Sequence, residues 1–330
     1  MKIVVYGPDQ RTGALLDGKV VDLSHVFAKY LRERKSEYRA IELAEALVPS
    51  DLARLIETGP AALENAQKAL DYLSKDAQDD KDPRGESLAH AANTVRIHAP
   101  RPRGTRMACA GSNFTTHRER MTRRSGRDVK APFIWGFWKI PHDGAEPGGD
   151  VTYPSRCDRL DYEGELAIIL GKQGKDLRPA ALKDFVWGVT LFCDWSIRSP
   201  REPLGPMNFA APKNFDTSYS LGPCIVVGEL DPTNIDIETL VNGQRRQFHN
   251  TRDMTFSFGE YLEYLSRDLT FYPGDLICSG TGEGTAADAS PVAADGTQPP
   301  DLFLKPGDSV EVKSPAIGTL RARIVAKNAR

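Results

Sequence analysis

Hydrophobic and polar positions change their pattern near residue 95. Before it, short apolar runs at 3–6, 14–16 and 20–23 read as strands, with Asp17-Gly18 turning the chain between the last two. The spacing then predicts helices over about 37–48 and 60–74, the second announced by Thr58-Gly59-Pro60 with proline in its first turn. Residues 78–86 are polar and turn-rich, a surface loop. From Arg96 onward, β-branched or apolar runs recur between glycines and prolines, at 168–170, 186–192, 224–227, 276–278, 309–312 and 319–325. Helical patterns there are confined to about 179–184 and 258–266, while 286–296 and 300–308 read as loops. Many short strands with few helices predict an α+β, β-rich chain with a rolled or sandwich-like sheet. A smaller N-terminal α/β domain over 1–95 would precede a larger one over 96–330.

One predicted strand has a chemically awkward start. The apolar run Leu166 to Leu170 closes on Gly171 and is preceded by Glu163-Gly164-Glu165. Side chains alternate along a strand, so both glutamates share a face. Two like charges beside a core strand repel, and desolvation worsens the conflict. A divalent cation removes it, and oxygen-only ligands suit Mg²⁺, Mn²⁺ or Ca²⁺ better than zinc. Asp194 ends the next strand-like run, where a third ligand could meet the first two.

Composition narrows the class. The 330 residues are 40% hydrophobic and 27% charged, ordinary for a soluble globular protein, with room for a sizeable core. A formal charge of −2 gives no reason to expect nucleic acid or an anionic membrane as partner. No apolar run approaches the roughly 20 residues that span a bilayer. Gly7-Pro8 interrupts the N-terminus too soon for a signal-peptide core, so the expected location is cytoplasmic. The five cysteines are odd in number, widely spaced and free of any C-x-x-C pair, which suits reduced core residues.

Further motifs stand around the carboxylates: Gly111-Ser112-Asn113 followed by His117, Asp194 followed by Arg198, Lys213 followed by Asp216, Leu221-Gly222-Pro223, Pro273-Gly274-Asp275, and Gly280-Thr281 followed by Gly284-Thr285. With the paired glutamates, these resemble the fumarylacetoacetate hydrolase family over about 104–326, two thirds of the chain. The resemblance implies a distorted β-roll as the catalytic domain. It also implies a metal triad of Glu163, Glu165 and Asp194, holding Mg²⁺ or Mn²⁺ (Ca²⁺ is compatible). His117 would take part in activating water, a role for which histidine as a residue type is suited because it can take a proton and return it. Lys213 would hold a substrate carboxylate or a developing enolate oxygen, oriented by Asp216. Arg198, Gly280 and Thr281 would contact substrate.

Two departures stand out. The carboxylate often found three residues after the histidine is Arg120 here, and Glu119 could replace it if this loop forms a helical turn. Ser199-Pro200-Arg201 also departs from the usual acid and glutamine. Residues 101–130 carry nine Arg or Lys against two acids, which would attract a carboxylate-bearing substrate.

The implied function is metal-dependent hydrolysis of a carbon–carbon bond in a 2,4-dioxo acid of the acylpyruvate or fumarylpyruvate kind, as in aromatic catabolism. Decarboxylation, isomerisation or hydration of a 2-oxo or 2-hydroxydienoate acid shares the same enolate and is the alternative. A non-catalytic metal- or ligand-binding protein is a third class, favoured only by Arg120. The expected partners are a small anionic 2-oxo acid and a second copy of the chain in a homodimer, with no nucleic acid and no membrane.

Overall fold

The computed structural model describes residues 1–125, 133–142, 144–200, 211–228, 230–293 and 298–327, with the backbone only for 121–125, 199 and 200. The N-terminal part contains β1 (Lys2–Tyr6), β2 (Arg11–Leu16) and β3 (Lys19–Asp22). Four helices follow: α1 (Leu23–Lys35), α2 (Ala40–Leu47), α3 (Leu52–Thr58) and α4 (Pro60–Lys75). Next come β4 (Ala89–Ala91), β5 (Ile97–His98), β6 (Met107–Ala110), α5 (Thr115–Ser125) and β7 (Gly136–Lys139). The middle of the chain forms β8 (Asp150–Thr152), β9 (Cys157–Asp161), β10 (Gly164–Leu170), α6 (Leu182–Phe185), β11 (Val186–Asp194) and β12 (Ser196–Pro200). The remainder forms β13 (Tyr219–Val227), β14 (Asp236–Val241), β15 (Gln244–Asn250), α7 (Phe258–Ser266) and β16 (Leu276–Cys278). Last are α8 (Ala286–Ala289), β17 (Ser309–Ser314) and β18 (Gly318–Val325).

An 11-stranded sheet runs β4-β3-β2-β1-β13-β11-β10-β16-β6-β7, with β5 beside β1. It crosses the expected division at residue 95, because β1 pairs antiparallel with β13. Alternation along β10 explains why this strand is buried throughout. Leu166, Ile168 and Leu170 belong to an apolar cluster shared with β14, β17 and β18, whereas Ala167 and Ile169 belong to one shared with α1–α4. One face is thus covered by a five-stranded sheet and the other by the N-terminal helices.

Helix α1 lies beyond the two N-terminal helices that the sequence pattern predicts. It starts where Asp22 accepts a hydrogen bond from the His25 amide, a cap that ends β3 one residue short of the expected strand. Helix α8 likewise occupies a stretch expected to be loop. All five cysteines are buried and free. Among the described residues no helix is long and apolar enough to cross a membrane.

Candidate metal centre and active site

Register places the carboxylates. Gly164 pairs with Cys193 across β10 and β11, and the Asp194 amide donates to the Glu163 carbonyl at 2.9 Å. Glu165 lies one pleat further along, on the face of Glu163. Ligand oxygens of Glu163, Glu165 and Asp194 fall within 4.8 Å of one another, and all three residues are buried. Gly164 faces the other way, where a Cβ would run into Thr239 Oγ1 of β14. Only glycine lets the two sheets approach this closely between the two ligands.

Three cations surround the cluster. Lys213 Nζ donates to Asp194 Oδ2 at 2.8 Å, to Ser196 Oγ at 2.6 Å and to Glu163. Lys139, wholly buried at the end of β7, donates to Asp194 and to the Lys213 carbonyl. Four strand spacings separate β7 from β11 in the sheet order, about 19 Å on a flat sheet. A lysine reaches that far only because the sheet curls, so this contact is the signature of the roll. Arg198 Nε donates to Asp161 Oδ2 at 2.9 Å, and its guanidinium also reaches Glu163.

The charges do not balance evenly. Burial would raise the Glu163 pKa, but Lys213 and Arg198 outweigh it and hold the carboxyl well below its ordinary value. Glu165 is pushed well above its ordinary value, first by burial and then by the neighbouring charge of Asp194. It accepts from the Gly280 amide at 3.1 Å, and among the described residues no cationic side chain pairs with it. A buried carboxylate disfavoured as an anion, beside two others, is a donor set that a hard divalent cation fits.

The histidine arrives from the other side. Asn113 clamps the chain after β6: its Nδ2 donates to the Phe256 and Ser279 carbonyls, and its Oδ1 accepts from the Phe256 amide, each at 3.0 Å. Helix α5 then starts, with buried His117 in its first turn. His117 Nδ1 lies 2.6 Å from Asp288 Oδ2, which also accepts from the Gly284 amide at 3.2 Å. With that carboxylate as acceptor, Nδ1 carries the proton and Nε2 keeps its lone pair. A proton taken up by His117 would favour the charged form of Glu163, which ties the dyad to the carboxylate cluster.

Several expected roles move. Glu119 is exposed on α5, so the acid against His117 is Asp288 instead. Asp216 is exposed, and Ser196, Glu163 and Asp194 orient Lys213. Arg198 is committed to Asp161 and Glu163. The Gly280 amide serves Glu165, and Thr281 Oγ1 donates to the Gly164 carbonyl at 2.9 Å while accepting from Gln247 at 2.8 Å. All three expected substrate contacts therefore support the carboxylate cage. Arg120 meets Glu283 at 3.4 Å, and both are half-exposed, a weak tether. Arg127, Lys130 and Arg201 lie outside the described residues. Lys139 and Asp288 have no place among the sequence candidates. The signals were a lone lysine ending an aromatic run and a lone acid among alanines after a glycine-rich loop.

A family profile described as fumarylacetoacetate (FAA) hydrolase C-terminal matches residues 106–325. Oxaloacetate tautomerase YisK from Bacillus subtilis (strain 168) is 30% identical over 320 residues, 95% of this chain and 98% of that protein. Fumarylacetoacetate hydrolase from psychrophilic Exiguobacterium antarcticum is 25% identical, with a TM-score of 0.68 over 99% of this chain and 100% of that one. Maleylpyruvate hydrolase from Sphingobium sp. SYK-6, in complex with manganese(II) and pyruvate, shares the fold at 20% identity, with a TM-score of 0.68 over 99% and 100% of the two chains. With a profile match across two thirds of its length and a relative covering nearly all of it, the chain belongs to the fumarylacetoacetate hydrolase family, whose members are enzymes.

Proposed function

We propose that this chain is a divalent-metal-dependent enzyme that interconverts the enol and keto forms of a short 2-oxo dicarboxylic acid, oxaloacetate being the simplest case. The observation that carries this is the buried Glu163–Glu165–Asp194 cluster, flanked by Lys213 and Lys139 and faced by the His117–Asp288 dyad. Similarity to an oxaloacetate tautomerase across 95% of the chain favours tautomerisation over the hydrolysis expected from the sequence motifs. Mg²⁺ or Mn²⁺ held by the three carboxylates would supply a Lewis acid that anchors the 2-oxo acid and favours its enolate. Lys213 gives its three N–H groups to Asp194, Ser196 and Glu163, so it would favour a developing enolate through its positive charge. Lys139 keeps Asp194 and the Lys213 backbone in place. His117 accepts or returns a proton at Nε2 while Nδ1–H stays on Asp288, whose charge stabilises the imidazolium. Moving one proton between carbon and oxygen completes the reaction, and no water is consumed.

The second reading is carbon–carbon bond hydrolysis in an acylpyruvate, which the same dyad favours because a base aimed at the site can also activate water. The two are separated by following the ultraviolet absorbance of enol-oxaloacetate and of an acylpyruvate with Mn²⁺ and protein. Fast enol decay without pyruvate release from the acylpyruvate supports tautomerisation. Acylpyruvate cleavage with enol-oxaloacetate decaying at its uncatalysed rate would overturn it.

A further inference from the structure

A second group of metal-type donors lies in the N-terminal part and shares no residue with the carboxylate cluster. His25 stands in the first turn of α1, its amide held by Asp22 Oδ1 at 2.8 Å. The loop opposite is locked by its own hydrogen bonds. The Asp82 amide donates to the Glu86 carbonyl at 2.8 Å, and Asp82 Oδ1 accepts from the amides of Arg84 and Glu86 at 2.8 and 2.9 Å. That leaves Asp82 Oδ2, a buried oxygen with no hydrogen-bond partner, on a side chain only 1% exposed. It faces His25 Nδ1 at 3.8 Å, too long for a hydrogen bond. A Glu86 oxygen completes a set of three donor atoms within 4.8 Å of one another.

An orphaned buried carboxylate oxygen is costly unless something pairs with it. Two ligands about 2.1 Å from a shared tetrahedral ion stand about 3.4 Å apart, close to the spacing seen. Asp22, 4.0 Å from His25 Nδ1, is committed to Arg11 and Tyr6 and stays in the outer shell. Glu86 is exposed and the His25 side chain is 21% exposed, which provides an entry path and room for a water ligand. One nitrogen and two oxygens suit zinc better than the all-oxygen set at the catalytic cluster does.

We propose that His25, Asp82 and Glu86 form a separate zinc-type site that clamps the loop at 79–88 onto α1. Its second tie to the helix is the ion pair of Lys29 with Asp79 at 2.7 Å. The test is isothermal titration of the chelator-stripped full chain with Zn²⁺, comparing wild type with His25→Gln and Asp82→Asn. The asparagine keeps Oδ1 for the two loop amides and removes the charge at Oδ2. Each variant should bind one equivalent fewer than wild type, or bind it at least tenfold more weakly. Exposed Glu86→Gln gives the same reading should either buried change impair folding. Equal stoichiometry and affinity in wild type and variants overturns the proposal, as does loss of the equivalent in His25→Gln but not in Asp82→Asn.

Discussion

Asp288→Asn removes the charge of the dyad while leaving its shape. The amide oxygen takes the place of Oδ2, where Gly284 donates at 3.2 Å and His117 Nδ1 lies at 2.6 Å, so the imidazole keeps its tautomer. What disappears is the negative charge beside the imidazolium that forms when His117 takes a proton. The two side chains are only 4% and 3% exposed, so water does little to replace it. Hydrogen bonds to charged groups contribute about 1.5–3 kcal/mol against about 0.5–1.5 for neutral ones. A difference of about 1.4 kcal/mol is tenfold in rate, and removal of a positioned base has a ceiling of about 10²–10⁴-fold. The expected result is a kcat about 10- to 100-fold lower, with KM and Mn²⁺ affinity within about twofold of wild type. Stopped-flow decay of enol-oxaloacetate reads the rate, and circular dichroism confirms the fold. Glu119→Gln is the control, expected within about twofold of wild type because Glu119 lies on the exposed side of α5. If Asp288→Asn turns over like wild type, or Glu119→Gln shows the larger loss, the acid partner is misassigned.

Three further predictions concern fold, pH and assembly. Gly164→Ala should push β10 away from Thr239 and lower both thermal stability and metal affinity, which differential scanning with and without Mn²⁺ would report; unchanged values would show that the strand can yield there. Burial alone would raise the Asp22 pKa, but Arg11 outweighs it and holds the carboxyl below its ordinary value. Stability from its charge is therefore present above the unfolded value near 3.9 and lost as pH falls through the folded one, so Asp22→Asn should cost about 2–4 kcal/mol at pH 7 and progressively less below about pH 4 in urea unfolding. An equal gap at both pH values would contradict that. A homodimer is proposed by analogy with other β-rich enzymes of this kind, and sedimentation at micromolar concentration should show one; a strict monomer would reject it.

Local pattern made some of this legible. Strand alternation alone puts Glu163 and Glu165 on one face, and Asp194 at the end of the next run is then the natural third carboxylate. Lys139 follows no such rule, because its contact with Asp194 exists only once the sheet has curled across four strands. Asp288 depends on α8 packing against α5, a tertiary event with no periodic trace in a four-residue helix. Helix α1 is obscured by Lys29, an inward-facing residue that is 3% exposed and neutralised by Glu33 and Asp79. The glycine-rich segment pointed to the right region, yet its amide and hydroxyl are turned toward the strand that bears the carboxylates.

The most direct test of the central claim is the enol-oxaloacetate tautomerisation rate of chelator-stripped protein as Mn²⁺ is added back, run beside Glu165→Gln. The account predicts activity near background in the stripped protein, saturable recovery with Mn²⁺, and no recovery in Glu165→Gln despite a native circular dichroism spectrum. Full activity in the stripped protein, or normal recovery in Glu165→Gln, would contradict it.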